Sequence, residues 1–138
     1  MPARDVFHDA VIHALEREEW QITHDPYLIY YELGKMYIDL GAEKVLAAEK
    51  KNQKIAVEIK SFIQTAAVSE FHTALGQFIN YRTILKESEP NRILYLAIPD
   101  DTYNSLFRTR FVQKIMIDYN LKLIIYKPTE EVIQQWIS

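Results

Sequence analysis

Cysteine is absent from the 138 residues, which excludes disulfides, zinc knuckles and thiol chemistry and fits a reducing compartment such as the cytoplasm. Glycine is scarce, with three residues in the chain, so there is no glycine-rich loop to cradle nucleotide phosphates, and no Gly-x-Ser-x-Gly elbow or helical His-Glu-x-x-His is present. No apolar run approaches membrane-spanning length. The start, Met1-Pro2-Ala3-Arg4-Asp5, leads into a pattern containing Asp9, Glu16 and Glu18, unlike a signal peptide. Positive charge is not in excess either. The net charge of −3 and pI near 5.8 argue against a protein that coats nucleic acid by bulk attraction. They leave room for a metal-dependent nuclease, because metal-binding carboxylates count as negative while a bound cation reverses the local field.

What is present describes a folded chain: 49% apolar and 25% charged residues, read as one domain over 1–138. Residues 4–19 carry a helical stripe of Val6, Phe7, Ala10, Val11, Ala14 and Leu15. Trp20–Thr23 reads as a short strand stopped by Asp25-Pro26, and Tyr27–Leu33 as a β-prone aromatic run closed by Gly34. Val45–Glu49 and Lys54–Lys60 are strand-like and joined at 50–53 as a hairpin. Residues 67–87 form the longest helical pattern, with Phe71, Leu75, Phe78 and Leu85 as inward candidates. Arg92–Ile98 is nearly continuous apolar sequence, the pattern of a central strand covered on both faces. One or two helices are expected within 101–119 and a strand over Leu121–Tyr126, broken by Pro128. The tail, Glu130–Ile137, fits a strand or a short helix. This order predicts an α/β (α+β) fold with a mixed sheet flanked by helices.

The chemistry concentrates in Ile55-Ala56-Val57-Glu58-Ile59-Lys60. Strand alternation puts Ile55, Val57 and Ile59 on one face and Ala56, Glu58 and Lys60 on the other. Unpaired buried charge is costly, so Glu58 and Lys60 need a mutual partner, a metal or an open site. A Glu-x-Lys triplet arises by chance on the order of once in a chain this long, and Glu49-Lys50-Lys51 is a second copy, read as solvated surface. The ordinary reading of Glu58 and Lys60 is a cross-strand salt bridge on a half-exposed face. Asp39, between Tyr37-Ile38 and Leu40-Gly41, has an equally ordinary use as a turn aspartate. Together, however, Asp39 and Glu58 supply the hard oxygen ligands that Mg²⁺ or Mn²⁺ takes, and Lys60 would stabilise charge on phosphoryl oxygens.

On the long helix, Gln77 and Tyr81 are four apart and share a face with Glu70 and Thr73, most often a simple helix boundary. His8 and His13, five apart, cannot chelate one metal as an i, i+4 pair would. Both read as solvent-facing, although His8 could look toward the acidic cluster. His24 flanks a turn, and His72 lies beside the Phe71 packing face.

Asp39, then Glu58-Ile59-Lys60, then Gln77-Phe78-Ile79-Asn80-Tyr81, resembles the PD-(D/E)xK nuclease superfamily, with Ile38 where that pattern has proline. Over the whole chain the sequence is similar to the XisH family, in runs such as Tyr37-Ile38-Asp39-Leu40-Gly41, Ile55–Phe62, Ser69–Phe78 and Val132–Ile137. The resemblance implies a restriction endonuclease-like fold and a Mg²⁺-dependent (or Mn²⁺-dependent) metal centre. Its ligands would be Asp39, Glu58 and the main-chain carbonyl of Ile59, with His8 as a further candidate from the first helix. Lys60 would stand at the reacting phosphate, and Gln77 and Tyr81 would position DNA or the lysine. The family resemblance also implies a cyanobacterial factor controlling excision of the fdxN element, with DNA, an XisI-type protein and a recombinase as partners. Superfamily members often dimerise to cut two strands, so Tyr27–Tyr31 is a candidate homodimer interface, or else one side of a hairpin. A non-catalytic regulatory module that binds XisI or the recombinase is the alternative to an endonuclease.

Overall fold

The stripe at the start of the chain becomes α1 (His8–Arg17), which buries Ala10, Val11, Ala14 and Leu15. The computed structural model describes residues 6–33, 36–39, 45–63 and 67–138, with only the backbone of 30–33 and 36–39. The helix stops two residues short of the expected end because Glu19 takes a left-handed conformation, φ 70°, and the chain turns into β1 (Gln21–His24). β2 (Tyr30–Leu33) and β3 (Met36–Asp39) form a separate antiparallel ribbon with Tyr31 opposite Ile38. Of the aromatic run, Tyr30 and Tyr31 thus lie on one strand of a hairpin, while Tyr27 precedes it.

β4 (Val45–Lys50) and β5 (Gln53–Ile59) are the expected antiparallel hairpin, turning at Lys51 with φ 55°. α2 (Ala67–Ser88) follows, then β6 (Arg92–Pro99). The segment beyond Pro99 divides into α3 (Asp100–Asn104), a 3₁₀ turn (Leu106–Arg108) and α4 (Arg110–Asp118). The Thr109 hydroxyl accepts from the Val112 N–H at the start of α4, an ordinary N-cap. β7 (Leu123–Lys127) and β8 (Val132–Ile137) close the chain. The tail is therefore a strand. Its apolar spacing fitted either structure, and antiparallel pairing with β7 decides between them.

The six strands lie in the order β1-β4-β5-β6-β7-β8. β5, β6 and β7 run parallel, and the outer pairings are antiparallel. Both parallel steps need crossovers, supplied by α2 and by α3–α4. Phe71, Phe78, Val112 and Met116 from these segments share one core with Ala56, Leu94, Leu96 and Ile98 of the sheet. Two crossovers of the same hand advancing in the same direction place their helices on the same face. On the other face, Val11 and Leu15 of α1 pack with Val57, Ile59, Ala97 and Ile124. β6 thus contributes side chains to two cores, which explains its nearly continuous apolar sequence. Each fully buried Phe or Leu here contributes about 1.5–3 kcal/mol. No helix among the described residues is long and apolar enough to cross a membrane.

One end of the sheet collects the C-termini of β1, β5, β6 and β7 with the start of β4. Val45 lies opposite Glu58, and the Tyr27 N–H donates to the Val45 carbonyl. Ligands of open α/β sheets characteristically bind beyond the carboxyl ends of parallel strands.

Candidate functional site

At that end, Glu58 is 1% exposed, Lys60 5% and Ser61 6%. Ala56 belongs to the core beneath α2, and strand alternation gives Glu58 the same face. Its partners in register are Val45 on β4 and Leu96 on β6, both buried and apolar. A half-exposed cross-strand salt bridge is therefore not what this position is. Lys60 lies one residue past the strand, and its N–H donates to the Ala97 carbonyl at 3.1 Å, prolonging the parallel ladder. Two ionisable groups of opposite sign are consequently held out of water at the carboxyl end of a central strand. Such burial costs several kcal/mol per ion unless opposite charge or a metal offsets it.

α2 supplies the next residues. Phe71, Ala74, Phe78, Tyr81 and Leu85 form its buried stripe, so Tyr81, 2% exposed, is a core residue as well as a candidate site residue. Gln77, one turn earlier, is half-buried, as is Glu70 near the helix start. The Glu70 Oε2 atom is buried with no hydrogen-bond partner among the described residues. The helix packs on the face that carries Glu58, as its position after β5 predicts.

His8 differs from expectation. It is buried, 1% exposed, rather than solvent-facing, and its Nε2 lies 2.7 Å from Asp25 Oδ1. An ionised carboxylate can only accept, so the proton of this bond sits on Nε2. The other ring nitrogen, Nδ1, is buried with no hydrogen-bond partner among the described residues. His8 opens α1 and Asp25 follows β1, whose His24 pairs with Ala47, so the pair belongs to the same end of the sheet as Glu58. Asp25 was legible only as a turn signal. Its partner is 17 residues away in sequence, beyond any local pattern. His13 is exposed, as expected. Its Nδ1 is 2.8 Å from Glu131 Oε2, and hydrogen bonding to Glu131 raises its pKa from the ordinary 6.5, with the Glu131 charge adding to the effect.

Asp39 ends β3, with its backbone opposite Tyr30, six positions before the cross-strand partner of Glu58. Its side chain lies outside the described residues, as do residues 40–44. Among the described residues no group of three or more His, Asp or Glu side chains could hold a metal. The donor set proposed from sequence, two carboxylates and the Ile59 carbonyl, is nonetheless all hard oxygen and suits Mg²⁺ or Mn²⁺.

Comparison with known proteins agrees with the fold. The family model described as XisH protein matches residues 1–134. A solved XisH family protein from Nostoc punctiforme is 47% identical over 97% of this chain and all of its own, with a TM-score of 0.87. An fdxN element excision controlling factor protein from Anabaena variabilis is 48% identical over 96% of this chain and 98% of its own, also at 0.87. No curated protein matches the sequence.

Proposed function

This chain belongs to the XisH family, and from that premise we propose that it is an accessory factor in programmed excision of a DNA element, carrying a phosphodiester-hydrolysing centre at Glu58. The observation that carries this reading is a carboxylate 1% exposed, in register between two apolar residues, with a buried lysine two positions on. Core packing alone gives no reason to keep such a pair. Hydrophobic residues of similar volume are often neutral or stabilising in place of buried charge. The restriction endonuclease-like pattern of Asp39, Glu58 and Lys60 supplies the reason.

In this proposal Asp39, Glu58 and the Ile59 carbonyl hold Mg²⁺ or Mn²⁺. The bound cation would supply Lewis-acid polarisation of a phosphoryl oxygen. Lys60 stabilises negative charge gathering on the phosphate, an interaction strengthened by exclusion of water. Gln77 and Tyr81 position the lysine or the DNA. Asp25 fixes the tautomer and orientation of His8, leaving Nδ1 as a further donor toward the cation.

The test combines cleavage with binding. Purified protein with Mn²⁺ should nick or cut DNA, and Glu58→Ala and Asp39→Asn should each abolish cleavage and calorimetric Mn²⁺ binding. If the wild type neither cuts DNA nor binds metal, the enzymatic reading fails.

One observation favours a second reading. A carboxylate this closed admits a phosphate only if the end of the sheet opens, and the net charge of −3 does nothing to draw DNA toward it. A non-catalytic module that engages an XisI-type protein or a recombinase needs no such opening. It would co-purify with that partner while Asp39→Asn left the complex intact.

A further inference from the structure

The net charge of −3 is unevenly shared between the two faces of the sheet. On one face, α1 and the turn after it carry Asp9, Glu16, Glu18 and Glu19 against Arg17. On the other, the crossover between Asp101 and Asp118 holds Arg108, Arg110 and Lys114 and no acid. All three cations are exposed, and none makes an ion pair among the described residues. Arg110, Phe111 and Lys114 fall within an arc of about 100° on α4. Phe111 is 53% exposed, and its ring stands 6.3 Å from both Phe71 and the exposed His72 of α2. Arg108 lies over the Tyr103 ring at 6.0 Å, a contact that positions a guanidinium without occupying its N–H groups.

Topology puts this patch at the Glu58 end of the sheet. The crossover leaves β6 at Pro99, at that end, and α4 runs back toward the start of β7, which is parallel to β6. Phe107, next to Arg108, is edge-on to Phe62 at 5.7 Å and to Phe71 at 5.5 Å. Phe62 lies two residues beyond Lys60. We infer that this rim is the docking surface for a single strand of DNA: Arg108, Arg110 and Lys114 hold its phosphates, and the Phe111 ring stacks on an unpaired base. Resting on the reading of Glu58 as a centre that acts on DNA, the rim presents the strand to it. Cations placed around an aromatic ring are the combination that single strands require, because every base has a π-face. In a duplex those faces are already stacked, and an acidic polypeptide would engage the cations without using the ring. Phosphate contacts depend on local charge, so the negative total does not oppose them.

Fluorescence anisotropy in EDTA, with a fluorescein-labelled oligothymidylate, reads this binding without metal or cleavage. The wild type should bind the strand saturably and more tightly than the same strand annealed to its complement. Replacing Arg108, Arg110 and Lys114 together by Gln should weaken binding by about tenfold or more at low salt. It should also flatten the slope of log affinity against log salt by about 2, from roughly 0.7 per phosphate contact. Phe111→Leu keeps an apolar side chain against Phe71 but removes the flat ring. It should weaken the single strand by about fivefold and leave duplex affinity unchanged. Lys51→Gln, exposed at the β4–β5 turn, should alter neither. A wild type that binds the strand but neither cuts DNA nor takes up Mn²⁺ defeats the hydrolytic reading and leaves the docking surface standing. Absence of saturable binding overturns the docking surface, as does equal affinity for the duplex or wild-type affinity in either the triple variant or Phe111→Leu. Polyglutamate competing as well as the unlabelled strand overturns it too, and assigns the face to an acidic protein.

Discussion

The hairpin of β4 and β5 carries the same triplet twice, and its two ends treat it in opposite ways. Glu49-Lys50-Lys51 lies at the turn, where Lys51 is exposed and Glu49 is reached by Arg92 from β6 at 3.4 Å. Arg92 does not depend on that contact, because its Nε donates to Glu89 at 2.9 Å and another guanidinium nitrogen donates to the Ile55 carbonyl at 3.0 Å. Glu58-Ile59-Lys60 lies at the other end, beneath α2, where both charges are nearly sealed from water. What differs is depth in the sheet. At the turn, water and a spare acceptor tolerate any change, whereas beside Val45 and Leu96 a charge must be matched.

Five variants break or sharpen this contrast. Lys60→Met should lower stability in urea unfolding by about 3–5 kcal/mol, since removing one of two buried charges leaves the other uncompensated. Lys51→Met should stay within about 0.5 kcal/mol of wild type. Equal losses for the two lysines would erase the distinction. Tyr81→Phe should cost about 1 kcal/mol, for one lost hydroxyl interaction in a preserved core shape, yet reduce DNA cleavage far more than stability. Parallel losses in both measurements would make Tyr81 a packing residue only. Glu49→Gln should cost at most about 1 kcal/mol, the worth of a part-exposed ion pair, because Arg92 keeps Glu89 and Ile55. The smallest effect belongs to His13. Its pKa is raised by Glu131, so its bond is fully favourable below the ordinary 6.5 and fades as pH rises through the raised value. The Tm difference between wild type and Glu131→Gln should therefore shrink as the pH is raised. A difference that grows toward alkaline pH would contradict the assignment.

Strand alternation, the hairpin, the long helix and the two-sided burial of β6 were all legible in sequence because each is a local pattern of apolar spacing. The tail was not, since Ile133, Trp136 and Ile137 fit either period and only the β7 ladder settles the choice. The burial of Glu58 could be posed but not decided from its own strand, because it depends on Val45 and Leu96 as neighbours. His8 was misjudged for a related reason. An imidazole reads as polar on a helical stripe, and its burial is made tolerable by Asp25, outside the helix altogether. Arg92 also opened what looked like an apolar strand, and its acceptors come from three separate elements or turns.

The Lys60–Ala97 hydrogen bond bears on when the buried charges leave water. The β4–β5 hairpin pairs residues close in sequence, whereas β5–β6 pairing must first close the loop that contains α2. Glu58 faces Val45 across the first ladder and Leu96 across the second. Until β6 docks, one flank of Glu58 stays wet and the Lys60 N–H has no carbonyl to meet. The desolvation penalty of the site therefore falls on the same step that bears the loop-closure entropy. Charge burial and the crossover form one cooperative event, and whatever loosens β6 rehydrates Glu58.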